Sequence, residues 1–239
     1  ITSEAFVDCK SLESITLPEG IISVAAGAFL GCDNLSRINI SDNNPYYTSV
    51  DGMLFNKDKT EIIIYPAGKT DTVYVIPDRV TTISRNVFIE PTYLQEIVIH
   101  AGVTNIEEGA FRSCNLNAVS VDKDNEYYCS VNGALFSKDK TTLYKYPSGK
   151  TADTYQIPDG VNTIAYSAFW GSSNLKSVVI PESVTFIDEG AFVSCYSLTD
   201  VYYTGTEEQW ENVAVDTQLN YSLADAQMHF NYDGSHVHN

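Results

Sequence analysis

The 239-residue chain carries 31 acidic against 14 basic side chains, a formal charge of −17, and 44% of its residues are hydrophobic. That charge argues against nucleic acid and anionic membrane surfaces as partners, and no apolar run approaches the roughly 18–20 residues of a membrane-crossing helix. The apolar content suits a large core, and one repeat array accounts for the chain better than two separate domains.

From the first residues the chain is in a repeat. Ala5-Phe6 returns as Ala28-Phe29, Val87-Phe88, Ala110-Phe111, Ala168-Phe169 and Ala191-Phe192, at intervals of 23, 59, 23, 58 and 23 residues. A period in this range predicts a solenoid. The second unit reads Val24, Ala28-Phe29, Cys32, Leu35, Ile38, Ile40, and the last reads Ile187, Ala191-Phe192, Cys195, Leu198, Val201, Tyr203. Up to Leu35 the spacing of three and four predicts a helical or 3₁₀ turn. Ile38 and Ile40 alternate with Asn39, which predicts a strand. The expected fold is therefore an α/β-type repeat solenoid, with short parallel strands in one sheet and helical or 3₁₀ turns on the other side. Gly27, Gly109 and Gly190 precede the dipeptide, at corners where positive φ is expected. With Glu4-Ala5-Phe6 already in register, the expectation is a segment cut from a longer protein, and the missing leader says nothing against secretion.

The intervals of 59 and 58 hold inserts that are themselves repeats. Residues 44–83 and 125–164 align without a gap at an offset of 81, with 24 of 40 positions identical. Asp51-Gly52 and Asn132-Gly133 lie between apolar runs and predict tight hairpin turns. Each insert contains an adjacent pair, Tyr46-Tyr47 or Tyr127-Tyr128, of which alternation buries one member and exposes the other. Eight coils are expected: six short ones and two bearing hairpins.

The Ile-x-x-x-Ala-Phe-x-x-Cys-x-x-Leu-x-x-Ile-x-Ile-Pro frame, with the Ser-Val-(Asp/Asn)-Gly-x-Leu-Phe inserts, resembles the BspA-like, or Treponema-type, leucine-rich repeat family of bacterial surface proteins. The resemblance runs from Ala5 to about Tyr203. It implies a cell-surface or secreted protein that adheres to host matrix or to other cells. Domain limits follow: a leucine-rich repeat array over 1–203, a C-terminal cap over 204–232 and a flexible tail over 233–239. In the cap, Thr206-Glu207-Glu208-Gln209 is a capping box that starts a short helix.

Cys9, Cys32, Cys114 and Cys195 share one position in the coil, where Pro91 and Ser172 also stand. Disulfides or a metal are the functional alternatives to a ladder of small buried side chains, and the ladder is expected, because small size is what the position keeps. Cys129 makes the total odd, and no Cys-x-x-Cys suggests zinc. His100, His229, His236 and His238 form no triad with a nucleophile, so no enzyme and no cofactor are expected. Asp122 to Glu126 has a passing likeness to a calcium loop but lacks the turn glycine. Glu107-Glu108 and Asp188-Glu189 recur before Gly-Ala-Phe, yet other coils hold Ala, Arg, Asn, Tyr or Ser there, so they carry no acid–base chemistry.

The outward residue of each strand is Thr16, Asn39, Val75, Val98, Ser120, Gln156, Val179 and Tyr202. Across this row and its two flanking rows only Glu96, Asp122 and Asp200 are acidic. Either β-propensity alone favours such residues, or the row is a binding face for a protein, with a glycan as the alternative. For the glycan, Tyr202 with Asp200 is the expected aromatic platform and carboxylate. The expected function is a non-enzymatic interaction or adhesion module.

Overall fold

The structure, a computed structural model, describes residues 1–234, so His236 and His238 lie outside the described residues. It divides into two units, Ile1–Leu116 with Ser120–Tyr127, and Asn117–Val119 with the chain from Tyr128 onward. Both are stacks of solenoid coils built on parallel strands, as the repeat predicts.

In the first unit Ser14–Leu17 pairs in parallel with Arg37–Ile40, placing Ile15 beside Ile38 and Leu17 beside Ile40. Val73–Val75 pairs likewise with Glu96–Ile99. The second unit has four strands in this row: Thr154–Gln156, Ser177–Ile180, Asp200–Tyr203 and Gln227–His229. Inward residues such as Ile38, Ile97, Val178 and Val201 are fully buried.

The other side of each coil differs from the expected turn. It begins with a second row of very short parallel strands: Glu61–Ile64, Thr82–Ile83 and Asn105–Ile106 in the first unit, and Thr142–Lys145, Thr163–Ile164, Phe186–Ile187 and Ala214–Val215 in the second. Most of these pair for two residues, too few for a period of two to show in a sequence. The 3₁₀ return follows them. Ala28 N donates to Ala25 O at 3.0 Å, Cys32 N to Phe29 O at 3.1 Å and Leu35 N to Cys32 O at 2.9 Å. Only Ala26–Phe29 among the described residues is regular enough to be a 3₁₀ helix.

Turns of successive coils are bonded along the stack, with Phe88 N donating to Ala110 O at 3.3 Å and Phe169 N to Ala191 O at 2.7 Å. Beneath these bonds the rings stack: Phe6 on Phe29 at 5.2 Å, Phe88 on Phe111 at 5.8 Å and Phe169 on Phe192 at 4.6 Å. Tyr65 and Tyr146 continue the ladder, Tyr146 lying 5.2 Å from Phe169. Offset aromatic pairs of this kind contribute about 0.5–1.5 kcal/mol beyond burial.

Gly109 and Gly190 take positive φ, 73° and 59°, and so do Glu4, Asn86 and Ser167 at the same corner. Gly27 is different: it lies in the 3₁₀ helix, and a Cβ there would come within 2.9 Å of Ser3 Oγ. A second left-handed position recurs two residues after each of the six phenylalanines of the repeat dipeptide, at Asp8, Gly31, Glu90, Ser113, Gly171 and Ser194. It ends each turn and redirects the chain toward the next strand.

The hairpins are Tyr47–Val50 with Met53–Asn56, and Tyr128–Val131 with Ala134–Ser137. Both central residues of each turn have positive φ: Asp51 50°, Gly52 79°, Asn132 51°, Gly133 79°. Their tips dock instead of projecting. Gly52 O accepts from Ile38 N at 2.7 Å and Gly133 O from Val119 N at 2.8 Å, each closing the edge of a strand. The outward strands of the first unit are thus interrupted, where one continuous sheet was expected.

Residues 204–232 add a further coil that lacks the repeat signature. The capping box forms at Thr206 and Gln209, starting the helix Glu207–Trp210. Ala214–Val215 then joins the second row, the helix Tyr221–Asp225 replaces the Ala-Phe turn, and Gln227–His229 joins the first row. Asn220 holds this coil in place. Its Oδ1 accepts from Phe192 N at 3.0 Å, and its Nδ2 donates to Asp188 O and Asp216 O.

Candidate functional site

Alternation puts the outward row on the side of the strands away from the core, and what covers it varies along the chain. In the first unit Val75 is 60% and Val73 48% exposed. Thr16 is exposed, while Val98 and Ser120 are half-buried. Ser120 Oγ donates to Glu96 Oε1 at 2.5 Å, which occupies one of the few carboxylates on this face. Asn39 is half-buried because the first hairpin tip lies beside it, leaving a polar hollow of about 560 Å³ between Arg37, Asp51 and Lys69.

In the second unit the face is partly closed. Gln156 is exposed, but Val179, expected to face solvent, is 1% exposed. The cause is the segment after His229, which crosses back over the outward side. Asn231 N bonds Gly205 O, Tyr232 N bonds Tyr203 O, and Tyr232 lines the same hollow as Val179. Tyr202 is half-buried, stacked 4.6 Å from His229 and lying 4.8 Å from Tyr232. Asp200 is held by His229, whose Nε2 lies 2.7 Å from Oδ1, and by Thr199 Oγ1. These hydrogen bonds, His229 first, hold the Asp200 carboxyl below its ordinary value. His229 is the residue that sequence reasoning missed: it continues the outward row beyond Tyr202 in a strand without repeat signature.

The other candidates resolve into structure. All five cysteines are free. Cys32, Cys114 and Cys195 are buried and donate to the carbonyl of the phenylalanine one coil earlier, Phe6, Phe88 and Phe169, at 3.0, 2.7 and 3.1 Å. Where the position holds cysteine in these coils the thiol is bonded in this way, but Pro91 has no such donor and the Ser172 hydroxyl makes no bond, so small volume is what the position keeps. Burial pushes the Cys195 thiol up to about 12, far from the thiolate that reactivity requires.

The Asp- and Asn-rich turns are amide clamps. Asn44 Nδ2 donates to Glu19 O and Ile21 O, and its Oδ1 accepts from Tyr46 N and Tyr47 N. Asn125 repeats this with His100 O, Val103 O and Tyr127 N. Among the described residues no group of three acidic, His or Cys side chains could hold a metal ion. Of the recurring acids, Glu107 accepts from Arg85 N and Glu108 pairs with the Arg85 guanidinium at the surface. Of the tyrosine pairs, Tyr46 and Tyr127 are 53% and 51% exposed and Tyr128 is buried. No helix among the described residues is long and apolar enough to cross a membrane.

The family model described as BspA type leucine-rich repeat region matches six copies over residues 1–138 and 146–218. A leucine-rich cell surface protein of Faecalibacterium prausnitzii A2-165 has a similar crystal structure, with a TM-score of 0.58 and 28% identity over 87% of this chain and 52% of that one. A leucine-rich repeat protein of Eubacterium ventriosum ATCC 27560 shares the fold, with a TM-score of 0.50 and 23% identity over 82% of this chain and 50% of that one. The chain thus spans about half the length of either. A comparison with curated proteins finds no match.

Proposed function

Because the chain belongs to the BspA type leucine-rich repeat family, we propose that it is a non-enzymatic interaction module of a bacterial cell-surface or secreted protein, adhering to a protein of host matrix or another cell. Supporting the extracellular reading is the similar structure described as a cell surface protein. The observation that carries the binding reading is the open outward face of the first unit, where Val73 and Val75 stand exposed in a protein of charge −17. Val75 pairs with Val98, and Val73 with Glu96, whose carboxylate accepts from Ser120; apolar side chains on such a strand surface suit desolvation against a partner. The glycan alternative loses support, since Tyr202 has aromatic neighbours on it and Asp200 is already hydrogen-bonded.

The test is capture of host matrix proteins by the immobilised chain, in parallel with a glycan array. Val75→Lys and Val98→Lys are expected to abolish protein capture without unfolding, since a charge at a desolvated interface centre costs about 2 kcal/mol or more. Glu108→Lys is expected to leave capture intact. Equal capture by all three variants would move the site off this face, and glycan binding with no protein capture would replace the reading.

A further inference from the structure

On the second unit, the chain crossing back after His229 leaves a hollow of about 510 Å³ beside the outward row. Buried Val179 and Pro181 form its floor and Tyr232 one wall. Asp159 and Glu182 stand on its rim, both exposed, and no lysine or arginine contributes to it. Neither carboxylate forms an ion pair among the described residues; Glu182 Oε2 accepts only from the neutral Gln209 Nε2, at 3.1 Å. The hydroxyl of Tyr232 is buried and has no hydrogen-bond partner.

We infer that this hollow receives a cationic side chain, arginine or lysine, presented by a protein partner. Such a side chain has an apolar stem and a charged end, and the hollow has an apolar floor and an anionic rim. Its methylenes lie within the hollow that Val179, Pro181 and Tyr232 help to line, its head meets Asp159 and Glu182 in charge-assisted hydrogen bonds, and the Tyr232 ring gives the cation a π face. A metal ion does not fit, because no group of three ligating side chains converges among the described residues. The inference rests on the reading of the outward face as a surface for proteins, and it names the chemistry of one contact there.

The probe is N-acetylarginine amide, titrated into the whole chain with amide shifts followed by NMR, against N-acetylglutamine amide and methyl mannoside as controls. Saturable shifts are expected at Gly160, Thr204 and Gly234 with the arginine compound alone. Asp159→Asn with Glu182→Gln should weaken binding about fivefold or more. Glu19→Gln with Asp58→Asn removes the same charge from the first unit and should change affinity less than about twofold. Unmoved melting curves for both double variants confirm that folding is not the cause. No shift at saturation, equal shifts with mannoside, or equal weakening in both double variants would overturn the site, the last by assigning the attraction to net charge. Arginine binding that survives while Val75→Lys leaves protein capture unchanged would keep the hollow and discard the wider face.

Discussion

The two hairpin-bearing inserts share their clamps and differ in what they bury. Asn44 and Asn125 clamp the preceding turn alike, to the equivalent carbonyls Ile21 O and Val103 O and to one neighbouring carbonyl each, Glu19 O and His100 O. Ser49 and Ser130 donate to Ile38 O and Val119 O, and Lys69 and Lys150 donate to the tip carbonyls of Asp51 and Asn132. Beneath the clamps, Ile64 and Pro91 of the first insert's neighbourhood are replaced by Lys145 and Ser172, both buried. Lys145 Nζ donates to Trp170 O at 3.4 Å, while the Ser172 hydroxyl has no partner. Hydrogen bonds to the backbone are what the repeat keeps; the volume inside can be filled with apolar or polar groups.

The strongest way to break this comparison is at the ring ladder, which both halves share. Phe111→Ala and its counterpart Phe192→Ala are each expected to cost about 3–5 kcal/mol in denaturant unfolding; an unchanged midpoint for either would show that the ladder does not carry the stack. Next are the clamps. Asn44→Ala and Asn125→Ala strand several buried backbone groups and should cost about 2 kcal/mol apiece, with similar values if the clamps are equivalent. Lys145→Ile makes the second interior like the first and is expected to raise stability by about 1 kcal/mol, since an apolar replacement of a buried charge is commonly neutral or stabilising. A clear loss instead would show that the lysine organises its surroundings. The smallest effect concerns pH. Asp200 has a depressed folded pKa beside a reference of 3.8, so its contribution is complete above the unfolded value and fades as the pH falls through the folded one. Asp200→Asn should therefore lower stability slightly at neutral pH, where that contribution is complete, and flatten the acid limb of the profile, converging with the parent at low pH.

How far the sequence reveals the fold depends on how long each signal is. The Ala-Phe frame repeats six times and specifies coil, register and buried rings. The Asp-Gly and Asn-Gly turns specify both hairpins, because few other pairs accept two positive φ values. The second row of strands is too short to show a period. The left-handed residue after each phenylalanine is hidden because glycine holds only two of its six occurrences, Gly31 and Gly171. Tyr65 and Tyr146 stand 23 residues before Phe88 and Phe169 and escape notice as ladder rings only because the dipeptide is lost there, Ile64 and Lys145 preceding a tyrosine. On the outward face, alternation gives the direction in which Val179 points and is silent on what the chain later lays over it. His229 and Tyr232 do that from a coil with neither dipeptide nor cysteine, so the candidate face is legible in the first unit and not in the second.

One consequence of the bonds between turns concerns the lengths such a chain can take. Phe6 N bonds Ala28 O, Phe88 N bonds Ala110 O and Phe169 N bonds Ala191 O, always 22 positions along. Adding or losing a residue inside a turn would shift a whole ladder out of phase. Just after the turn the rule relaxes: Cys114 is separated from Leu116 by one residue, where Cys32 and Leu35 have two between them, and Leu116 is still fully buried. The hairpins enter at another such joint, after the outward strand. Growth and divergence of the array are thereby channelled to its joints, as a screw tolerates changes between threads and none within them.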